Sequence, residues 1–165
     1  MMKYSQEETE KVAARINKTG CLEDLNILIE RDGCTDVMPV FTKNEIVLNT
    51  DCVERVIAIE ENRNMNKSMD CIFVITDDNN LESVLAEFKF NYEGVRNLKS
   101  SKLIEKVKGT SINLKIDSLH IHDNYFFVFD SNMKEQARNK FRRFNPRLDS
   151  NFIFTDLAGL TIFFK

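Results

Sequence analysis

The chain has 165 residues, a formal net charge of −3, and 42% hydrophobic and 30% charged side chains. That length suits one domain able to bury about two-thirds of its unfolded surface, and the composition is globular, which excludes a disordered chain. No apolar run approaches the roughly 18 residues of a membrane-spanning helix, so no membrane partner is expected and the expected location is cytoplasmic.

Residues 5–17 open with Ser5 and Glu8 in a capping-box pattern, then place Val12, Ala13 and Ile16 at helical spacing, which predicts a first helix. Residues 22–30 read as a second helix ending at the Asp32–Gly33 break. The stretch 35–43, with Pro39, reads as loop or edge strand, and 45–49 as a short strand. Residues 51–61 fit a helix or a strand equally well. Residues 70–76 and 83–90 are apolar runs rich in β-formers, joined by Asp77-Asp78-Asn79-Asn80, which predicts a hairpin. A helix is expected over roughly 100–108, closed by Gly109, and a buried strand over 124–129. Residues 131–144 read as a basic helix stopping near Asn145-Pro146, with 151–155 and 160–164 as two short strands or a strand and a tail. The order predicts an α/β (α+β) domain with a mixed central sheet flanked by helices. It divides into an acidic helical part (1–62), a sheet core (63–130) and a basic helix with C-terminal strands (131–165).

Side chains alternate along a strand, so Glu87 and Lys89 share one face while Ala86, Phe88 and Phe90 point into a core. A hairpin of this length brings Asp70, at the start of its first strand, near the end of its second. Asp70 and Glu87 are then two hard oxygen donors for a cation such as Mg²⁺, with Lys89 beside them. That set suits phosphodiester hydrolysis, in which a metal neutralises developing charge and a lysine positions or deprotonates the attacking water.

The run Met69-Asp70 followed by Ala86-Glu87-Phe88-Lys89 resembles the PD-(D/E)XK nuclease superfamily, with Met69 where the family has proline. The resemblance covers roughly residues 50–130. It implies a restriction-endonuclease-like core, Asp70 and Glu87 as magnesium ligands, Lys89 as the catalytic lysine, and nucleic acid as substrate. It also implies a further acidic ligand upstream, for which Glu54 and Glu60 are the candidates.

Residues 95–147 carry 12 basic and 5 acidic side chains, against 7 basic and 13 acidic in residues 1–62. Lys134, Arg138, Lys140, Arg142, Arg143 and Arg147, with Phe141 and Phe144 among them, read either as a phosphate-contacting face or as the solvated side of an amphipathic helix. His120 and His122 flank Ile121 near Asp117 and Asp123, and read as a solvated pair rather than a metal site. Cys21, Cys34, Cys52 and Cys71 form no CxxC pair and have no histidine nearby, which speaks against zinc. With no signal peptide ahead of them, all four are expected to be buried reduced thiols. Two functions follow: a magnesium-dependent nuclease, or a non-catalytic protein-binding module such as an immunity protein, whose acidic N-terminal part would meet a basic toxin.

Overall fold

In the computed structural model, which describes residues 1–35, 41, 44–91, 94–114 and 120–165, the apolar runs join one sheet. Its seven strands are β1 (Lys3–Tyr4), β2 (Leu22–Asp24), β3 (Ile46–Asn49), β4 (Cys71–Thr76), β5 (Leu81–Lys89), β6 (Ile121–Phe129) and β7 (Phe152–Asp156). They lie in the order β2-β3-β4-β5-β6-β7, and β1 pairs with the end of β4 that β3 does not reach. The helices are α1 (Gln6–Arg15), α2 (Leu25–Arg31), α3 (Thr50–Glu60), α4 (Ser100–Asn113), α5 (Lys134–Phe141) and α6 (Leu157–Thr161). This is a mixed α/β architecture of the α+β class. No helix of the described residues is long and apolar enough to cross a membrane. The expected loop around Pro39 lies outside the described residues, apart from its flanks.

The expected hairpin is present. β4 and β5 pair antiparallel, with Cys71 opposite Ala86 and Thr76 opposite Leu81. The Asp77 carboxylate accepts from the amides of Asn79 and Asn80 at 2.9 and 2.8 Å, which is how the polar tetrapeptide makes its turn. Beyond β5 the sheet becomes parallel, β5 with β6 and β6 with β7, and α4 and α5 are the crossovers that parallel pairing requires. Alternation along the strands makes two cores. Ile72, Val74, Leu85, Phe127 and Phe129 pack under α1, α3, α4 and α5, whereas Phe73, Ala86, Phe88 and Val128 pack under α2 and α6.

Several elements differ from expectation, each for a local reason. Residues 22–24 are strand, not helix, because they pair with β3, and Asp24 then caps α2 by accepting from Asn26 and Ile27. The ambiguous 51–61 segment is helical, with Asn49 capping the Cys52 amide at 2.9 Å. The basic helix is shorter than 131–144, and Leu160 and Thr161 belong to a short helix capped by Asp156 rather than to a strand. Gly109 does not end α4, which runs on to Asn113. Its role is close approach, since a Cβ there would stand 1.9 Å from the Lys67 carbonyl oxygen. The cysteine expectation is half right. Cys34 and Cys71 are free and buried, but Cys21 and Cys52 form a disulfide. Spacing along the chain carries no sign that the 3-10 turn Thr19–Cys21 folds onto the first turn of α3.

Alanine is the better helix former by about 1 kcal/mol in an open helix. Gly109→Ala is nevertheless expected to destabilise the chain by about 1–3 kcal/mol, because the methyl must push the 67–69 segment away from α4. A lower urea midpoint at unchanged slope would show this, and a raised midpoint would refute it.

Candidate functional site

Asp70 stands one step beyond the last β4–β5 pair, across from Glu87. Its amide donates to the Ala86 carbonyl at 3.1 Å, and its Oδ2 accepts from the Phe88 amide at 2.6 Å. Those two bonds hold the carboxylate against the strand that carries Glu87 and Lys89. The hairpin therefore brings the expected trio together. Glu87 Oε1 is met by Lys89 Nζ at 2.8 Å and by Lys106 Nζ, from α4, at 2.7 Å. Lys106 also donates to the Ser68 carbonyl at 3.1 Å, tying α4 to the approach to β4. The face that reads as polar in sequence is covered by α4, so Glu87 is 2% exposed and Lys89 7%.

A third carboxylate joins them from α2. Asp32 ends that helix in a Schellman arrangement, with Gly33 N–H donating to Glu30 at 3.0 Å and Cys34 N–H to Ile29 at 3.0 Å. Gly33 has φ +94°, and a Cβ on it would lie 1.9 Å from Asn91 Oδ1, just past β5. A left-handed residue without a side chain is what lets the helix end close against the end of β5. Asp32 and Asp70 both line a cleft of about 560 Å³, together with Arg31, Asp51 and the Cys21–Cys52 pair.

The electrostatics show strain of one sign. Burial, then the charges of Glu87 and Asp32, push the Asp70 carboxyl well above its ordinary value, against the Phe88 amide and Lys106. Burial, then the charge of Glu87, lifts Asp32 from 3.8 to about 6. While Oε1 of Glu87 takes two ammoniums, its buried Oε2 has no hydrogen-bond partner. A buried carboxylate oxygen with no donor is costly unless something cationic or protonated completes it.

The other candidate residues are committed elsewhere. Glu54 is fully buried, and although burial acts to raise its pKa, bonds from Arg63, Asn113 and the Asn66 amide hold it low. Both its oxygens are taken, by Arg63 at 2.5 Å, Asn66 N at 2.7 Å and Asn113 at 2.6 Å, so it is a structural clamp between α3 and α4. Glu60 pairs with Lys18 at 3.3 Å. The acid that sequence reasoning missed is Asp32, read only as a helix stop. Lys106 was missed too, though a lysine within the stripe Leu103, Val107 and Thr110 is a visible signal. His120 and His122 stand 3.9 and 3.7 Å from Glu82, and His122 Nδ1 accepts from the Asn124 amide at 3.0 Å. Asp117 lies outside the described residues. Of the basic set, Lys134 pairs with Asp156 at 2.9 Å, and Arg138 reaches the Phe154 carbonyl and Glu135, both at 3.2 Å. Lys140 lies 6.0 Å over the Phe144 ring, while Arg142 and Arg143 are exposed.

No family model, curated protein or solved structure matches this chain.

Because folding lifts the Asp32 pKa from 3.8 to about 6, the folded chain holds more protons than the unfolded one between those values. The ionised form of Asp32 thus erodes stability as pH rises through that window. Asp32→Asn, with divalent cations chelated, is expected to raise Tm by a few degrees at neutral pH and to lose most of that gain near pH 4. Each kcal/mol corresponds to about 2–4 °C in a chain of this size. A variant melting lower than the parent at neutral pH would contradict the account.

Proposed function

We propose that the chain hydrolyses phosphodiester bonds in nucleic acid with the help of a divalent cation such as Mg²⁺, held by Asp70, Glu87 and Asp32. The observation that carries this reading is the bare, buried Oε2 of Glu87 beside two carboxyls whose protons are held by mutual repulsion. A hard cation fits that donor set, since it takes oxygen ligands and removes the repulsion that raises both pKa values. When bound, the cation would supply Lewis-acid neutralisation of the scissile phosphate. Asp70 is oriented for this by the Phe88 amide, and Glu87 by the two lysines on its other oxygen. Lys89, within 2.8 Å of Glu87, would hold the attacking water or quench charge on a phosphate oxygen. The order of hairpin, helix α4 and parallel strand β6 also agrees with what the nuclease resemblance implies. Backbone contacts would come from Arg142 and Arg143, which are exposed.

The test is cleavage of plasmid, single-stranded DNA and RNA with and without Mg²⁺ or Mn²⁺. Glu87→Gln is expected to reduce cleavage at least 100-fold and to weaken the metal, whereas Lys89→Ala should lower turnover with cation affinity largely kept. Because Glu87 is buried between two ammoniums, each variant is compared at matched folded fraction, checked by its melting curve. No cation-dependent cleavage by the parent, together with no Mg²⁺ or Mn²⁺ heat in calorimetry, would leave the protein-binding reading in its place.

A further inference from the structure

We propose that Cys21 and Cys52 are a reversible thiol–disulfide switch that sets whether Asp32 is held against Asp70 and Glu87. This rests on the reading of those carboxylates as one cation site. The disulfide spans 31 residues, and the loop it closes contains β2, α2, Asp32 and β3. Its far anchor is the first turn of α3, the turn that also holds Asp70, since the Thr50 amide donates to the Asp70 carbonyl at 3.0 Å and the Thr50 hydroxyl donates to the Met69 carbonyl. One covalent bond thus joins the unit bearing the third carboxylate to the segment bearing the first.

Polar contacts run alongside the crosslink and are weaker. Asn49, the cap of α3, donates to Glu23 at 2.8 Å, and Glu23 takes Arg31 in two bonds of 2.6 and 2.9 Å. Arg31 is more than half exposed in that pair, so water and salt weaken its hold on the end of α2. Like charges on Asp32, Asp70 and Glu87 press the two units apart, and the disulfide is the element that resists separation without needing a cation. Both cysteines line the cleft, and Cys52 is only partly buried, so a small thiol or disulfide has access to the bond.

The chemistry needs an external low-molecular-weight disulfide of the glutathione class. In the oxidising direction the Cys52 thiolate attacks one sulfur of that disulfide and expels the first small thiolate, forming a mixed disulfide. Cys21 thiolate then attacks Cys52 Sγ and expels the second. The two protons released by the protein thiols pass to the two small thiolates, so a protein dithiol and one small disulfide become a protein disulfide and two small thiols. Excess small thiol runs the same steps backwards.

The test uses the full chain, oxidised with oxidised glutathione or reduced with excess glutathione and then desalted without air. Alkylation and peptide mapping report the state of each cysteine. Mn²⁺ affinity is measured by calorimetry, and amide hydrogen exchange is followed across residues 25–33. Oxidised chain is expected to bind Mn²⁺ at least 10-fold more tightly and to exchange more slowly in that segment. The double variant Cys21→Ser, Cys52→Ser should match the reduced parent after either treatment. If that variant does not fold, the two mapped states of the parent decide the matter alone. Equal, measurable Mn²⁺ affinity in both states would overturn the switch while leaving the cation site standing. Oxidation that pairs Cys34 or Cys71 instead, or unchanged exchange over residues 25–33, would also overturn it. Absence of Mn²⁺ binding in either state would remove the cation site itself, and the switch with it.

Discussion

The ion cluster on Glu87 is the constraint around which the candidate site is arranged. A carboxylate at 2% exposure is affordable only when its charge is met, and here two ammoniums converge on one of its oxygens at 2.8 and 2.7 Å. One comes from the same strand and the other from α4, so the pairing joins the helix to the sheet. Lys106 and Thr110, one turn apart, then fix α4 against the residues that lead into β4, through the Ser68 carbonyl and the Met69 amide. Well-packed apolar side chains at Glu87, Lys89 and Lys106 would commonly be as stable or more so. A cluster of this kind, with one carboxylate oxygen left bare, is an investment in chemistry rather than in the fold.

Charge counting points the same way. Asp32, Asp70 and Glu87 face two ammoniums, which leaves one negative charge in excess when all are ionised. Without a cation the imbalance is relieved by protons, and the raised pKa values of Asp32 and Asp70 register that relief. Protons and a divalent cation would compete for the same oxygens, so cation affinity should rise with pH across the range in which Asp32 titrates.

How much of this was legible depends on how far along the chain each contact reaches. The hairpin was visible because its strands and its turn are contiguous, and the alignment of Asp70 with Glu87 and Lys89 follows from it. Their burial was not visible, because Glu87 and Lys89 mark a strand face as polar and only α4, folding back over it, makes that face interior. Asp32 was hidden behind two local facts with non-local consequences, the left-handed Gly33 and its contact with Asn91. Gly109 read as a stop for a similar reason, since a glycine that ends a helix and a glycine that admits a neighbouring carbonyl look alike in sequence. Glu54 was drawn in by its charge, yet its partners Arg63, Asn66 and Asn113 include one that is 59 residues away.

The topology itself explains why these groups gather at one corner. β5 is the strand at which the sheet changes from antiparallel to parallel pairing. Its carboxyl end therefore has the start of β4 on one side and the carboxyl end of β6 on the other, with Lys89 opposite Phe129. Open α/β sheets bind ligands outside the carboxyl ends of their strands, where departing crossovers leave a crevice. Here the end of α2 closes against the end of β5 through Gly33 and Asn91, while α4 brings Lys106 onto Glu87 from the opposite face of the sheet. A carboxylate at the foot of β4, a carboxylate and lysine near the end of β5, and an acid at the end of α2 are thus brought together by strand direction and helix capping, with sequence neighbours supplying only Glu87 and Lys89.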